Sequence, residues 1–450
     1  MIDRTTSHNM FARFFQPWII CSIGMLFYCY NYFLRVSPSV MQSDLMQGLH
    51  INATQFGTLA ALYYLAYTPM QIPVGMIYDR FGTRFVQFFA CLTAITGLGI
   101  FIYADNLAVA SVGRFMIGLG TAFAYIGVLK LASIWLPANR FATVAGLTTA
   151  FGMISAIFAD KYLTVFVQSV GYKNSLHLAF FIGIALSAII ILFMRSNPKK
   201  PMLHQQAKQV PMTMTQLFRA LGVVLSNPQM WLIGLIGFLF YLPASVFLDL
   251  WGIPYLKAAY QLTPEQAASA VSWTFVGWII AGPSIGALSD KIKRRRSPLI
   301  LSAVMSTLCL ATIFYMPGLS RPVLYTLLFL VGVFCGAHPL CFALGKENSP
   351  NQISGTAVAF TNTLIMLGGM IFQPVVGKLL DNHAVNVVMQ NGIPIYNASD
   401  YNYALTVIPV GLVVAIVLSF FLKETYCQSH VYAKEKPMLK TGGLALEGEG

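Results

Sequence analysis

Long apolar stretches constrain the fold of this 450-residue chain more than any other feature. A helix needs about 20 apolar residues to cross the ~30 Å hydrocarbon core of a membrane. The sequence contains twelve stretches long enough to do so. Inside a bilayer, backbone groups must be hydrogen-bonded within the protein, and a β-barrel would require short alternating segments instead. The sequence therefore predicts an all-α integral membrane protein.

These stretches, called spans 1 to 12 in chain order, form two sets of six. The first set is Gln16–Met41, Gln55–Tyr78, Phe85–Tyr103, Leu107–Leu136, Ala142–Val167 and Leu176–Arg195. The second set is Met230–Leu256, Glu265–Leu288, Ser297–Met316, Pro322–Leu344, Ser354–Leu380 and Tyr403–Lys423. We expect six-helix bundles at 1–195 and 230–423, a cytoplasmic connector at 196–229 with an amphipathic stretch at Met214–Leu225, and a disordered cytoplasmic tail at 424–450.

The placement of charge predicts the orientation of the chain and excludes several functions. With the N-terminus inside, 20 of the 28 lysines and arginines lie on the cytoplasmic side and 3 in external loops, which predicts that both termini are cytoplasmic. The net charge of +13 then follows from topology, so no nucleic-acid partner is expected. Without a Walker A sequence, nucleophile elbow or metal-binding pattern, we expect neither an enzyme nor a cofactor or metal. The expected partners are the lipid bilayer and a small solute, and the expected state is a monomer.

One charged loop is repeated in the two halves of the chain. Between spans 2 and 3 it carries Gly75, Asp79, Arg80, Gly82 and Arg84, and an echo after span 8 places Gly286 and Asp290 at the spacing of Gly75 and Asp79. A membrane protein built from two related halves suggests a carrier that alternates its access between the two sides.

This loop resembles the signature between helices 2 and 3 of the major facilitator superfamily, and Arg114 with Gly118 resembles the family's pattern in helix 4. The resemblance covers essentially the whole chain and implies twelve helices in two pseudo-symmetric bundles. It also implies a gating role for Gly75, Asp79, Arg80, Gly82, Arg84, Arg114 and Asp290. In the family this aspartate caps the N-terminus of helix 11 when the cytoplasmic side is closed, because free N–H groups there attract a carboxylate.

For this chain, the resemblance and the pseudo-symmetry imply two targets. Asp79 would cap the start of span 11 at residues 354–356, and Asp290 would meet the start of span 5 near Ala142 and Thr143.

Polar residues inside the spans are the candidate substrate contacts, because charge in hydrocarbon is costly. Tyr28, Asn31 and Arg35 share a face of span 1, and Tyr241, Ser245 and Asp249 form the matching stripe of span 7. Arg35 could bind a carboxylate or phosphate while Asp249 takes an amine or a proton, or the two could close an external gate as a salt bridge. Alternatively, Arg35 snorkels to the interface. Further candidates are Tyr63, Tyr67, Lys130, Asn362 and Gln373.

Three residues are candidates for proton coupling: Asp160, Asp249 and His338. Asp160 is adjacent to Lys161, so the two side chains point in different directions and cannot line one cavity. His338 could titrate near neutrality or simply pack. Span 5 lacks the Gly-Pro pair that antiporters of the family often carry, which favours proton-coupled uptake or facilitated diffusion over efflux.

The sequence predicts proton-coupled import of a small polar solute bearing a carboxylate, an amino acid or short peptide, across a bacterial inner membrane. "Tyr-x-Phe-Leu-Arg" in span 1 resembles organic-anion and sugar-phosphate carriers, whereas "RVSPSVMQSDL" and "YTPMQIPVG" resemble a bacterial branch related to the lysosomal dipeptide carriers. Organic or phosphorylated anions and siderophores are therefore alternative cargoes. A sensor built on a carrier scaffold is the alternative of a different class.

Asp79→Asn tests the predicted gating role. Removing the charge weakens a helix cap, so transport should slow while substrate still binds. Uptake rate and binding affinity, measured on the same preparation, check this expectation. Loss of binding with normal turnover would refute it.

Overall fold

The computed structural model describes residues 4–196, 213–316, 318–384, 388–390 and 393–428. Spans 1 to 6 form the helices Arg4–Val40, Ala53–Met70 with Val74–Phe81, Thr83–Ile102, Leu107–Thr121 with Ala124–Trp135, Ala138–Phe158 with Thr164–Val170, and Tyr172–Phe193. Spans 7 to 12 form Pro228–Phe240 with Gly252–Tyr260, Pro264–Ile292, Arg296–Tyr315, Arg321–Cys335 with Leu340–Glu347, Ser354–His383, and Ala398–Leu405 with Val407–Ser419. The prediction of a helical membrane protein is confirmed, and eleven helical stretches in this part of the chain are long and apolar enough to cross a membrane.

Span 2 is the predicted stretch that falls outside those eleven. Its helix stops at Met70 and resumes at Val74, because Pro69 and Pro73 have no N–H to donate to the preceding turn. The two pieces have 18 and 8 residues, and neither is among the long apolar helices, so the count of twelve spans stays a prediction.

Two spans contain π-helical segments, in which hydrogen bonds reach one residue further than in an α-helix. Ala159–Leu163 lies within span 5 and carries Asp160. Pro243–Trp251 lies within span 7 and carries Asp249. Asp160 and Asp249, the two acidic candidates within the spans, thus both lie in π-helical segments, which often accompany functional sites.

Short elements connect the spans. Helix Gln42–Leu49 follows span 1, and the predicted stretch Met214–Leu225 forms a helix before span 7. A 3-10 turn, Asn351–Ile353, precedes span 11, and strands β1 (Val388–Gln390) and β2 (Ile393–Ile395) form an antiparallel hairpin after it.

The chain is structured at the start of the predicted disordered tail. The Glu424 carboxylate accepts hydrogen bonds from the N–H groups of Arg295, at 2.8 Å, and Arg296, at 3.0 Å. It thereby caps the start of span 9, which is why the chain is held there. Residues 197–212 of the connector and 429–450 of the tail lie outside the described residues.

We name the two faces of the bundle by their elements: the connector side carries Met214–Leu225, and the hairpin side carries β1 and β2. The connector side is the one predicted to be cytoplasmic. On the hairpin side, spans 1, 2 and 5 pack against spans 7, 11 and 8 of the other half.

The halves pack closely against each other on the hairpin side. Gly57 and Gly377 lie so close to the partner helix that an added Cβ would clash with the backbone of Gln373 and Ala53, respectively. The contact reaches down to a 3.0 Å hydrogen bond from Asn362 to Gln71. Towards the connector side, glycines at the helix ends have open space around them: Gly75, Gly146, Gly286 and Gly355. The close packing between the halves lies at the hairpin side, and we infer that the interior opens towards the connector side.

Gly57→Ala tests this close packing. The added methyl group would press on the Gln373 backbone and should lower the free energy of unfolding by about 1–3 kcal/mol, the usual effect of overpacking. Thermal unfolding in detergent measures the change. Gly222→Ala is the control, because its Cβ would meet open space. An equal response of the two variants would contradict the close approach.

Candidate transport site

A buried ion pair joins the two halves at the hairpin side of the interior. Arg35 of span 1 donates from Nε to Oδ2 of Asp249 in span 7 at 2.7 Å, and its Nη2 lies 2.6 Å from the same oxygen. The side chains are only 4% and 3% exposed, respectively. Of the two roles that the sequence left open for this pair, the structure has the salt bridge formed. The Arg35 guanidinium is buried against Asp249, so the snorkelling alternative is not the arrangement found.

Two tyrosines complete the ion pair. Arg35 Nη2 donates to the hydroxyls of Tyr64, at 2.7 Å, and Tyr241, at 2.8 Å, and Tyr64 donates its own proton to Asp249 Oδ2. Tyr241 was predicted, but Tyr64 was missed. The candidates predicted in span 2 are Tyr63 and Tyr67, and Tyr64, the residue after Tyr63, points about 100° away from Tyr63. Tyr64 also lies under the guanidinium, with its ring centroid 5.0 Å from Cζ.

Arg114 supports the backbone that carries Arg35. Pro38 cannot donate an N–H to the carbonyl of Leu34, four residues earlier. Arg114 donates instead, from Nη1 to Leu34 O at 2.7 Å and from Nη2 to Arg35 O at 2.9 Å. The resemblance implied a gating role for Arg114, and its geometry is that of a residue that positions Arg35.

Two hydrogen bonds join span 7 to span 11 at Ser245 and Gln373. Gln373 Nε2 donates to Ser245 O at 2.7 Å, and Trp251 Nε1 donates to Gln373 O at 3.2 Å. Ser245 and Gln373 are 0% and 2% exposed. Both were predicted to contact substrate, and in this arrangement the Gln373 amide N–H and the Ser245 hydroxyl each bond to backbone of span 7 near Asp249.

Aromatic rings surround the ion pair on its connector side. In the N-terminal half, the Tyr28 ring lies 5.2 Å from those of both Tyr32 and Tyr125. In the C-terminal half, the His338 ring lies 5.1 Å from Tyr241 and 5.2 Å from Trp278. His338 thus belongs to an aromatic group beside the candidate site.

The remaining polar candidates of spans 1 and 2 form a second layer. Tyr63 donates to Asn31 Oδ1 and stacks on Tyr67 with ring centroids 5.6 Å apart. The Arg114 guanidinium lies 5.0 Å above the Tyr63 ring. These contacts bring Asn31, Tyr63 and Tyr67 together, as their helical spacing predicts.

Asp160 is buried without a partner. It is 0% exposed, and neither carboxylate oxygen has a hydrogen-bond partner within the described part of the chain. Lys161, next to it, is exposed. The two side chains therefore diverge, as predicted from their adjacency in the helix.

On the connector side, Asp79 forms an ion pair with Lys130 in span 4. Asp290 pairs with Arg295 at 2.7 Å, and Arg295 also binds Glu347 at 2.8 Å. Burial lowers the pKa of Arg295, but the hydrogen bonds and charges of Glu347 and Asp290 outweigh it and raise that pKa. Both aspartates thus lie with cations of their own half, as expected where this side is open. Lys130 was predicted to contact substrate, and here its ammonium group pairs with Asp79 and not with the ion pair of Arg35 and Asp249.

The other residues of the charged loop have structural roles here. Gly82 has φ of 77°, a conformation that favours glycine, and links spans 2 and 3. Arg84 donates from Nε to the carbonyl of Ile191 at 3.0 Å, near the end of span 6, whereas Arg80 is exposed.

A helical bundle with charged residues buried between its halves, closed at one face and open at the other, has the architecture of a membrane transport protein. The model of the Major Facilitator Superfamily matches residues 21–373. The chain belongs to this superfamily, which confirms the resemblance of its charged loop.

The relatives whose names state what they transport are distant from this chain in sequence. The "Probable sulfoacetate transporter SauU" of Cupriavidus necator is 22% identical over 81% of this chain and 87% of its own length. The lysosomal dipeptide transporter MFSD1 of Danio rerio is 23% identical over 79% and 80%, respectively. Among solved structures, a bacterial homolog of the human lysosomal transporter Spinster, in an inward-facing and occupied conformation, superposes with a TM-score of 0.70 at 14% identity over 91% of this chain and 97% of its own. These relatives are transporters, and the likeness to the solved structure concerns the fold.

Tyr64→Phe tests the ion-pair network. The variant loses the hydroxyl that bonds both Arg35 and Asp249, which should lower the free energy of unfolding by about 1–3 kcal/mol and alter transport. Thermal unfolding and uptake assays measure the two effects. Tyr30→Phe is the matched control, because its hydroxyl bonds only the carbonyl of Ala179, away from the site. Equal transport by both variants would contradict a functional role of Tyr64.

Proposed function

We propose that this protein is a secondary active transporter that imports a small carboxylate-bearing organic solute together with a proton, with Arg35 as the anion-binding residue. The observation that carries the proposal is the buried pair of Arg35 and Asp249, which belong to different halves of the bundle. Alternating access requires the hairpin side to open, and spans 1 and 7 must then separate. The ion pair cannot persist across that movement.

Breaking the pair would leave two charges unpaired in a poorly solvated interior, which is costly. An anionic substrate at Arg35 and a proton on Asp249 would replace the two lost partners. The guanidinium can bind a carboxylate bidentately. This exchange couples the anion to a proton without leaving net charge in the site, and the same logic applies in reverse on release.

Asp160 is a second proton-carrying candidate. An ionised carboxylate buried without a partner costs several kcal/mol, so a proton is the expected occupant where no cation lies near. His338 remains a third candidate beside Tyr241. We infer further that the connector side is cytoplasmic, that the membrane is a bacterial inner membrane and that the transporter works as a monomer. The distribution of lysine and arginine supports the first of these inferences.

An amino acid or short peptide is the second candidate class. Its carboxylate would bind Arg35 while its ammonium group binds Asp249, so the substrate itself would supply both charges. MFSD1 is named as a dipeptide transporter, which favours this class. SauU is named as a probable sulfoacetate transporter, which favours an anion. The two classes differ in one measurable respect, because a zwitterion needs no proton at Asp249.

Other cargoes fit the pair less closely. A phosphorylated anion could bind Arg35. A siderophore is a much larger ligand, and a single cationic side chain would contact only a small part of it. A non-transporting sensor on this scaffold would bind ligand without moving it, and uptake measurements separate it from a carrier.

The test begins with a thermal-shift screen of small carboxylates, sulfonates, amino acids and dipeptides on purified protein. Hits are then assayed for uptake into liposomes with and without an inward proton gradient. Electroneutral symport of a monoanion predicts stimulation by the pH gradient and indifference to membrane potential. Uptake that ignores the pH gradient, with a zwitterionic hit, would select the second class instead.

Site variants place the ligand. Arg35→Lys keeps the charge but loses the bidentate geometry, so affinity should fall about tenfold or more, in line with a charge-assisted hydrogen bond. Arg35→Gln combined with Asp249→Asn removes both charges and should abolish coupling while preserving the fold. Hits that stabilise this double variant as they stabilise the natural protein would overturn the site assignment.

A further inference from the structure

The C-terminal end of span 11 caps the N-terminal end of span 2 across the two halves of the bundle. Asp381 Oδ2 accepts a hydrogen bond from the N–H of Thr54 at 2.8 Å and another from its hydroxyl, and Oδ1 accepts from the N–H of Ala53 at 3.3 Å. Tyr396, which follows β2, donates to Asp381 Oδ1, and its oxygen lies 3.2 Å from the same Ala53 N–H. The first turn of span 2 is thus held by residues of the opposite half.

This contact satisfies groups that span 2 cannot satisfy itself. The first N–H groups of a helix have no partner within the helix and carry a partial positive charge. The side chain of Asn52 accepts only the N–H of Gln55, at 2.9 Å. Asp381 serves two of the remaining groups with a full negative charge. The cap therefore exists only while the hairpin side is closed.

The same chemistry recurs at the other end of the same pair of helices, with the helices exchanged. Spans 2 and 11 are antiparallel and packed together. At the hairpin side span 2 begins and span 11 supplies Asp381, whereas at the connector side span 11 begins and span 2 supplies Asp79. In this structure the Asp381 cap is formed and Asp79 pairs with Lys130.

We propose that Asp381 is the hairpin-side counterpart of Asp79, and that the two carboxylates cap their opposing helices alternately. The Asp381 cap stabilises the state that is open to the connector side. The Asp79 cap stabilises the state that is open to the hairpin side. Each cap offsets part of the free energy lost when the other breaks, which keeps the two states close in stability. This inference rests on the alternating access proposed above, and it concerns the equilibrium between the states, not the substrate.

Asp381→Asn tests the exchange of caps on the full-length protein without any ligand. Hydrogen–deuterium exchange followed by mass spectrometry reports on the first turns of span 2 and of span 11 separately. Losing a helix cap should raise exchange in the first turn of span 2 by roughly three- to thirtyfold. Because the population shifts towards hairpin-side opening, exchange in the first turn of span 11 should fall.

The second arm combines Asp381→Asn with Asp79→Asn. The double variant should lose the protection at the start of span 11 while retaining the increase at the start of span 2. Asp105→Asn is the matched control, since it makes the same change at an exposed position of the hairpin side. Tyr396→Phe keeps the carboxylate and should produce a smaller change in the same direction, and it also serves if Asp381→Asn does not fold.

An increase confined to the start of span 2, with span 11 unchanged, would overturn the proposal and leave Asp381 as a local structural cap. Because exchange is measured without substrate, this outcome is distinct from a failure of the uptake assays. Uptake without proton coupling would leave the exchange of caps intact, and opposite changes at the two helix starts would support it whatever the cargo.

Discussion

The ion pair of Arg35 and Asp249 is the interaction on which the closed face of this bundle depends. Each charge is almost fully buried, so each needs the other and several further partners to offset the loss of water. Tyr64 and Tyr241 supply those partners from spans 2 and 7. The network therefore draws helices of both halves to one point, and it also defines what must change when the halves separate.

Irregular helix makes this network possible. Pro38 frees the backbone carbonyl that Arg114 binds, and the π-helical segment of span 7 carries Asp249. Freed backbone groups are tolerated at membrane depth only where other groups of the protein satisfy them. The same requirement explains two hydrogen bonds between spans 7 and 11. Gln373 donates to the backbone carbonyl of Ser245, and Trp251 donates to the backbone carbonyl of Gln373. The site is thus held by residues that need not touch the cargo.

Relatives of this chain differ in what they carry, as the names of SauU, a probable sulfoacetate transporter, and MFSD1, a dipeptide transporter, illustrate. The shared part is the arrangement of helices, which survives at identities near 20% because lipid-facing apolar residues interchange freely. Cargo is decided by a few polar side chains in the interior. In this chain buried polar side chains are concentrated around Arg35, where a cation from one half and an anion from the other meet.

Charge and periodicity in the sequence predicted several members of this buried cluster, whose role in transport stays a prediction. Arg35 and Asp249 were identified because charge is rare in hydrocarbon, and Tyr28, Asn31, Tyr63 and Tyr67 because helical spacing places them on common faces. Tyr64 was missed, since it points away from the face of Tyr63 and Tyr67 and its bond to Asp249 forms only between the two halves. The partners of Asp79 and Asp290 also differ from those expected, because the predicted contacts belong to a bundle whose connector side is closed.

The sequence by itself determined the membrane, the helical class and the superfamily, because hydrophobic length and one charged loop are local properties of the chain. It also determined which interior positions carry charge. Only the tertiary structure decided which charges meet, that the hairpin side is closed, and that Asp381 caps span 2. The contacts between the halves join residues far apart in the chain, such as Arg35 and Asp249, which are 214 positions apart, and no local pattern encodes such a pairing.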